Sequence, residues 1–164
     1  MGLLEHYADK SRGIKITSTK TRPNNATPYT IGDVVGTDDW VFDFAGCANA
    51  LYLIAVALRI DVSSLPSGLS TFKLHLYNDV TAVQLADNAP QTFLTADKDK
   101  YLMTINLDAP TDKGDFLFSR TTGIFDQLTL KKGSSKIYAR LETDGAFTPT
   151  ALAVKTLSLI GVGI

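Results

Sequence analysis

The sequence predicts an all-β protein: a single-domain, jelly-roll-like β-sandwich with at most one short helix. Three observations point there. Apolar residues recur with a period of two in short runs, as where Phe72, Leu74 and Leu76 alternate with Lys73, His75 and Tyr77. The runs end at clusters of Gly, Asn, Asp or Pro, spaced about 10–15 residues apart. Helical periodicity is nearly absent. With 164 residues, 45% apolar and 20% charged, the chain suits one domain with its own core, and neither a composition shift nor a repeat divides it.

Residues 1–13 mix charged and small side chains without a sustained period and are expected to form an N-terminal arm, with residues 14–164 as the sandwich domain. Ile14, Ile16 and Ser18 alternate with Lys15, Thr17 and Thr19, the pattern of a strand with one wet face. Pro23 and Pro28 around Asn24 and Asn25 remove backbone donors and predict a loop over residues 21–30. Residues 33–36 and 40–44 are each long enough for a short strand.

Residues 49–62 read as a central strand that is apolar on both faces, with Leu51, Leu53, Ala55 and Ala57 on one and Tyr52, Ile54, Val56, Leu58 and Ile60 on the other. The turn cluster Ser63, Ser64, Pro66, Ser67 and Gly68 precedes the strand at 72–77. Thr95 offers a cap for one helical turn before Tyr101, Met103, Ile105 and Leu107 resume the period of two. Further strands are expected at 115–119, 125–131, 136–142 and 153–160, with Lys132-Gly133 and Asp144-Gly145 as turn signals.

Charge and composition exclude several kinds of function. Sixteen basic against 17 acidic side chains leave a net charge of −1, with no surplus to neutralise a phosphate backbone, so no nucleic-acid partner is expected. The longest apolar run, residues 50–58, is far short of the roughly 20 residues that cross a bilayer, and no membrane partner is expected. The first residues lack the pattern of a secretory signal, so synthesis in a cytosol is expected. His6 stands where a myristoylation pattern wants Ser or Thr. With Cys47 as the one cysteine, there is neither an intrachain disulfide nor a cysteine zinc site.

Chemistry-bearing residues are sparse. His6 and His75 are the only histidines, and neither has metal-ligand spacing; His75, on the polar side of its strand, reads as a surface or interface residue. Nothing beside Cys47 would lower its pKa, so it reads as a small buried thiol. Asp38-Asp39 and Asp97-x-Asp99 are the close carboxylate pairs, without the later ligands of a calcium loop. No phosphate-cradling glycine loop, G-x-S-x-G or H-E-x-x-H occurs. No enzymatic activity, cofactor or metal is expected. Among the aromatics, Trp40, Phe42, Phe44, Tyr52, Phe72, Tyr77, Phe93, Tyr101, Phe116, Phe118, Phe125, Tyr138 and Phe147 come into question for binding, most of them in strands. Core packing is the ordinary fate of each, and Trp40 is the first to test as an exposed sugar-binding aromatic.

Residues 16–36 resemble the opening segment "T-x-T-R-P-x-N-x-T-x-Y-x-x-G-D-V-[IV]-G" of small virion proteins of tailed bacteriophages, through Thr19, Thr21, Arg22, Pro23, Asn25, Thr27, Tyr29, Gly32, Asp33, Val34, Val35 and Gly36. Residues 76–78 with 85–90, and residues 143–150, are similar to later stretches of the same group. The resemblance implies a jelly-roll-like sandwich on the virion. Within the group it points to a head decoration (cement) protein that binds the major capsid protein as a homotrimer and stabilises the head. It carries over no catalytic residue. The alternatives are a tail or baseplate module that binds host surface glycan, and a sandwich-fold hydrolase or lyase acting on polysaccharide.

Overall fold

The computed structural model describes residues 13–45 and 50–163. Nine strands lie among them: β1 (Gly13–Thr21), β2 (Trp40–Asp43), β3 (Ala50–Ile60), β4 (Phe72–Tyr77), β5 (Tyr101–Leu107), β6 (Thr111–Asp112), β7 (Leu117–Thr129), β8 (Lys136–Thr143) and β9 (Val154–Gly163). The one helical element among the described residues is a 3-10 turn, Thr95–Asp97, preceded by Leu94 rather than capped by the Thr95 side chain. Of the expected arm, residues 1–12 lie outside the described residues, as does Cys47; Gly13 already stands opposite Val162 in the β1–β9 ladder.

The strands form two antiparallel sheets, β1-β9-β3-β7-β6 and β2-β8-β4-β5. The order has a simple origin. β1 pairs with β9, β2 with β8, β3 with β7 and β4 with β5, so the chain is a long hairpin with its tip between β4 and β5. Successive pairs of that hairpin fall alternately into the two sheets, which is the winding of a jelly roll. The fold class predicted from the period of two is the one observed, and β6 is a two-residue addition at one edge.

Between the sheets, Leu53, Val56, Leu58, Leu157 and Leu159 of the larger sheet meet Trp40, Phe42, Phe72, Leu74, Leu76, Ile137 and Leu141 of the smaller one. Replacing a leucine here by Ala would cost roughly 2–5 kcal/mol.

Two expectations fail at one irregularity. In the β3–β7 ladder Leu53 pairs with Asp126 and Ala55 with Thr122, so Gly123, Ile124 and Phe125 stand opposite Ile54 alone. Against β9, where Leu53 pairs with Gly161 and Ala55 with Ile160, Ile54 has no opposite residue. A bulge inverts the alternation of every residue beyond it. Leu51 and Leu53 therefore share the core face with Val56, Leu58 and Ile60, while Tyr52, Ala55, Ala57 and Arg59 face outward. The two faces are therefore divided differently from the expected 51/53/55/57 and 52/54/56/58/60, and on the outward one Ala55 and Ala57 are buried while Tyr52 and Arg59 are exposed. The same bulge, with Gly123 at φ 77° and Phe125 at φ 49°, lets one 13-residue strand span what the sequence divides into two.

Residues 33–36 make isolated bridges rather than a strand, Asp33 with Pro90 and Val34 with Glu142. The outer face of the smaller sheet is also not wet. The connection between β4 and β5, residues 78–100, folds across it and buries His75 and Tyr77 of β4 and Arg140 of β8.

Candidate functional site

Pro23 and Pro28 have no N–H to give, so the β1–β2 connection cannot continue the ladder and is held by side chains instead. Arg22, wholly buried, donates from Nη1 to Asp87 Oδ2 (2.6 Å), and from Nη2 to Asn25 Oδ1 (3.0 Å) and the Thr27 carbonyl (2.7 Å). Its guanidinium lies 4.5 Å from the centroid of the Tyr29 ring. Asp87 Oδ1 accepts the Tyr29 hydroxyl (2.6 Å) and the Gly36 N–H (2.7 Å). Burial, reinforced by Asp87, pushes the Tyr29 phenol far above its ordinary range, so it stays a donor.

Backbone bonds complete this clasp. On one side Val34 donates to Ala89, Asn88 to Val34 and Gln91 to Gly32; on the other Tyr29 donates to Phe147, Gly32 to Thr143, Thr143 to Asp33 and Val35 to Leu141. Residues 29–36 are thus a middle ply between residues 85–91 and 141–147. The stretches that carry the sequence resemblance are spatial neighbours. Lys155, from the core face of β9, is buried within electrostatic reach of Arg22 and Asp87. Desolvation brings its pKa down to about 8 against the opposing pull of Asp87.

A second buried ion pair sits on the outer face of the smaller sheet. Arg140 Nε donates to Asp39 Oδ1 at 3.2 Å, and both side chains are about 99% buried. Arg140 also donates to Thr81 Oγ1 (2.6 Å), the Thr92 carbonyl (3.1 Å) and the Val83 carbonyl. Asp39 accepts the Thr81 N–H (2.8 Å) and the Gln84 amide (3.0 Å). These bonds tie residues 81–92 down on the sheet and occupy both oxygens of the Asp39 carboxylate.

The other singled-out residues take structural places. Trp40 is fully buried and its Nε1 donates to the Val35 carbonyl (3.1 Å), so it is a core residue and not a surface platform. It alternates with exposed Val41, on the same side as Phe42, and that alternation already put it inward. His75 is buried rather than at the surface, held between Thr104 Oγ1 (2.6 Å) and Glu142 Oε2 (2.7 Å). Desolvation lowers its pKa, with Glu142 opposing, so near neutral pH the ring is uncharged. His6 lies outside the described residues.

Asp97 Oδ1 accepts the Ala82 N–H (2.7 Å) and Lys100 Nζ (3.1 Å). Sequence reasoning missed Arg22, Asp87 and Arg140; the first two stand inside the resembling stretches, whereas Arg140 carries no local signal. Among the described residues no group of three or more His, Cys, Asp or Glu could hold a metal ion. No helix there is long and apolar enough to cross a membrane.

The geometry defines a jelly-roll sandwich with one loop-covered sheet and a three-ply clasp at its end. No protein-family model matches the chain, and no curated protein matches it. Solved structures give weak likenesses. One is a chain of the Israeli acute paralysis virus full particle heated to 63 degrees, at 12% identity over 93% of this chain and 68% of that one, with a TM-score of 0.31. Another is from deformed wing virus, a honeybee pathogen, at 7% identity and TM-score 0.33; it covers 95% of this chain, which spans about half (49%) of that one. A third is the acidic stable capsid of Helicobacter pylori bacteriophage KHP30, at 13% identity over 93% and 92% of the two chains, with a TM-score of 0.24. Likenesses this distant carry no conclusion about the chain's function.

Proposed function

We propose that this chain is a structural protein of a bacteriophage particle: a head decoration (cement) protein that binds the major capsid shell as a homotrimer. The observation that supports the reading is the clasp. Three stretches resembling segments of tailed-phage virion proteins are far apart in the chain, yet they bond to one another as one unit through Arg22, Tyr29, Asp87 and the backbone of residues 141–147. Their side chains serve shape: the carboxylate and guanidinium satisfy each other instead of standing free as acid and base.

Under this reading the outer face of the larger sheet supplies the contact. Thr17, Ala57 and Ser158 line a groove of about 400 Å³ together with the basic Lys15, Arg59 and Arg120. Such a face suits an acidic ridge on a protein partner. Binding the assembled shell alone stabilises it by RT ln(1 + [L]/Kd), about 2.7 kcal/mol per site at 100 times Kd, and a trimer adds avidity.

The test adds purified protein to heads that lack it. The expected results are a trimer in sedimentation at micromolar concentration, saturable binding to heads, a higher temperature of head disruption, and weaker binding by Arg120→Glu. A monomer that leaves heads untouched overturns the reading. Gold-labelled protein found on tails in electron micrographs replaces it with a tail or baseplate role.

A further inference from the structure

The strand register gives the basic groove on the larger sheet a direction. Thr17 of β1, Ser158 of β9, Ala57 of β3 and Arg120 of β7 are successive partners across four strands. Two residues along in one direction stand Lys15 and Ile160, and two along in the other stand Thr156 and Arg59. Ser158 and Ala57 are small and buried, whereas Lys15, Arg59 and Arg120 are exposed. The low line of this face therefore crosses the strands, from the β1 edge towards β7.

Three cations and no carboxylate line the groove. Arg59 is already paired with Asp61 at 2.8 Å, but among the described residues neither Lys15 nor Arg120 has an ion-pair partner. Three strand spacings and two residues separate these two, about 16 Å between their backbones. Two free charges that far apart call for two acceptors on one partner.

The form of the partner follows from the sheet. Strands β9 and β3 are interior, with a neighbour on each side, so a segment lying over them gains no ladder bonds and is held by side chains. Ile160 and Thr156 are four residues apart in β9, about 13 Å of backbone, and their own side chains narrow that gap below the roughly 10–12 Å of a helix. An extended chain fits. In it, residues four apart point the same way and lie about 13 Å from each other, and the flexible Lys15 and Arg120 side chains reach the remaining distance.

We propose that the groove receives an extended acidic segment of a protein partner, crossing the strands with two carboxylates four residues apart, one on Lys15 and one on Arg120. The inference rests on the reading of this face as the contact with another protein, and adds what the face recognises. Residues 1–12 of a second copy carry Glu5 and Asp9 at the same spacing, but Lys10 and Arg12 beside them cancel that charge and oppose the three cations.

The test titrates three synthetic peptides into 15N-labelled protein at low salt, up to the millimolar range: GSDSTSDSG, its carboxamide form GSNSTSNSG, and GSSDDTSSG, in which the carboxylates are adjacent. The first is expected to shift the amides around Lys15, Ala57, Arg120 and Ser158 and to bind about fivefold more tightly than the other two. Raising the salt weakens it. Lys15→Glu and Arg120→Glu, both exposed changes, each weaken it by about tenfold without altering the rest of the spectrum. The proposal is overturned if GSDSTSDSG leaves the groove unshifted, if either control peptide binds as well, if inorganic phosphate displaces the peptide at equal concentration, or if a peptide of residues 1–12 binds the groove more tightly. Head binding is read separately. Heads that bind the parent protein while the peptide fails overturn this inference and leave the capsid reading standing; a peptide that binds while heads do not overturns the capsid reading alone.

Discussion

Arg22 and Asp87 are 65 positions apart in the chain and 2.6 Å apart in space, and their side chains are 0% and 4% exposed. The pair joins the end of β1 to the connection that caps the smaller sheet. Two charges withdrawn from water are tolerable only because each also has neutral partners, Asn25 and Thr27 for the guanidinium, Tyr29 and Gly36 for the carboxylate. Asp87→Asn should therefore cost about 3–5 kcal/mol in urea unfolding, since it leaves Arg22 charged and buried. The double change Arg22→Met with Asp87→Leu should cost less than the two single changes added together.

Lys155 is expected to behave in the opposite way. Its folded pKa of about 8 lies below the 10.5 of the unfolded chain, so between those values the unfolded state holds more protons. Stability then rises as pH increases from 8 towards 10.5, and at pH 7 the buried charge is a burden. Lys155→Met should stabilise the protein at pH 7 by on the order of 2 kcal/mol and flatten the rise above pH 8. Denaturant unfolding at pH 7 and pH 10 checks both.

His75 sets a second slope on the acid side. Its folded pKa is lowered from 6.5 chiefly by desolvation, so the unfolded chain takes up the proton first as pH falls. The contribution of His75 is fully present above pH 6.5 and is lost as pH drops through that value towards the folded pKa. An NMR titration should place the ring below 6.5, and His75→Gln should remove part of the loss of thermal stability between pH 7 and pH 5.

Gly68 and Gly133 share a left-handed backbone, φ 83° and 80°, but not their surroundings. A Cβ on Gly68 would stand 2.2 Å from the Ala146 carbonyl oxygen, whereas one on Gly133 meets nothing within 4 Å. Gly133→Ala should carry only the backbone strain, about 1–2 kcal/mol, or roughly 2–4 °C in Tm per kcal/mol. Gly68→Ala should lower Tm by at least twice as much as Gly133→Ala, because the turn has to leave residues 145–147.

Strand positions were legible where polar and apolar residues alternate and turn residues bound the run. The alternation at 72–77 and 101–107 matches β4 and β5 to the residue, and 136–142 falls one short of β8. Around Ile54 the same rule misassigned the faces, because the bulge shows only in the pairing of β3 with β7 and β9 and nothing at Leu53-Ile54-Ala55 announces it. His75 and Arg140 look like surface residues because they alternate with core leucines. Only the 78–100 connection, folding back over the sheet, makes them interior.

By itself, then, the sequence determined an all-β sandwich with one core, because side-chain alternation is a local property of extended backbone and survives any choice of partner strand. It also held the three stretches of the clasp, though not the knowledge that they touch. Tertiary structure decided the jelly-roll order, the inverted faces of β3 and the two buried ion pairs. Each of these depends on groups brought together across many tens of residues, where register, desolvation and hydrogen-bond satisfaction are settled jointly by both partners and are written in neither segment alone.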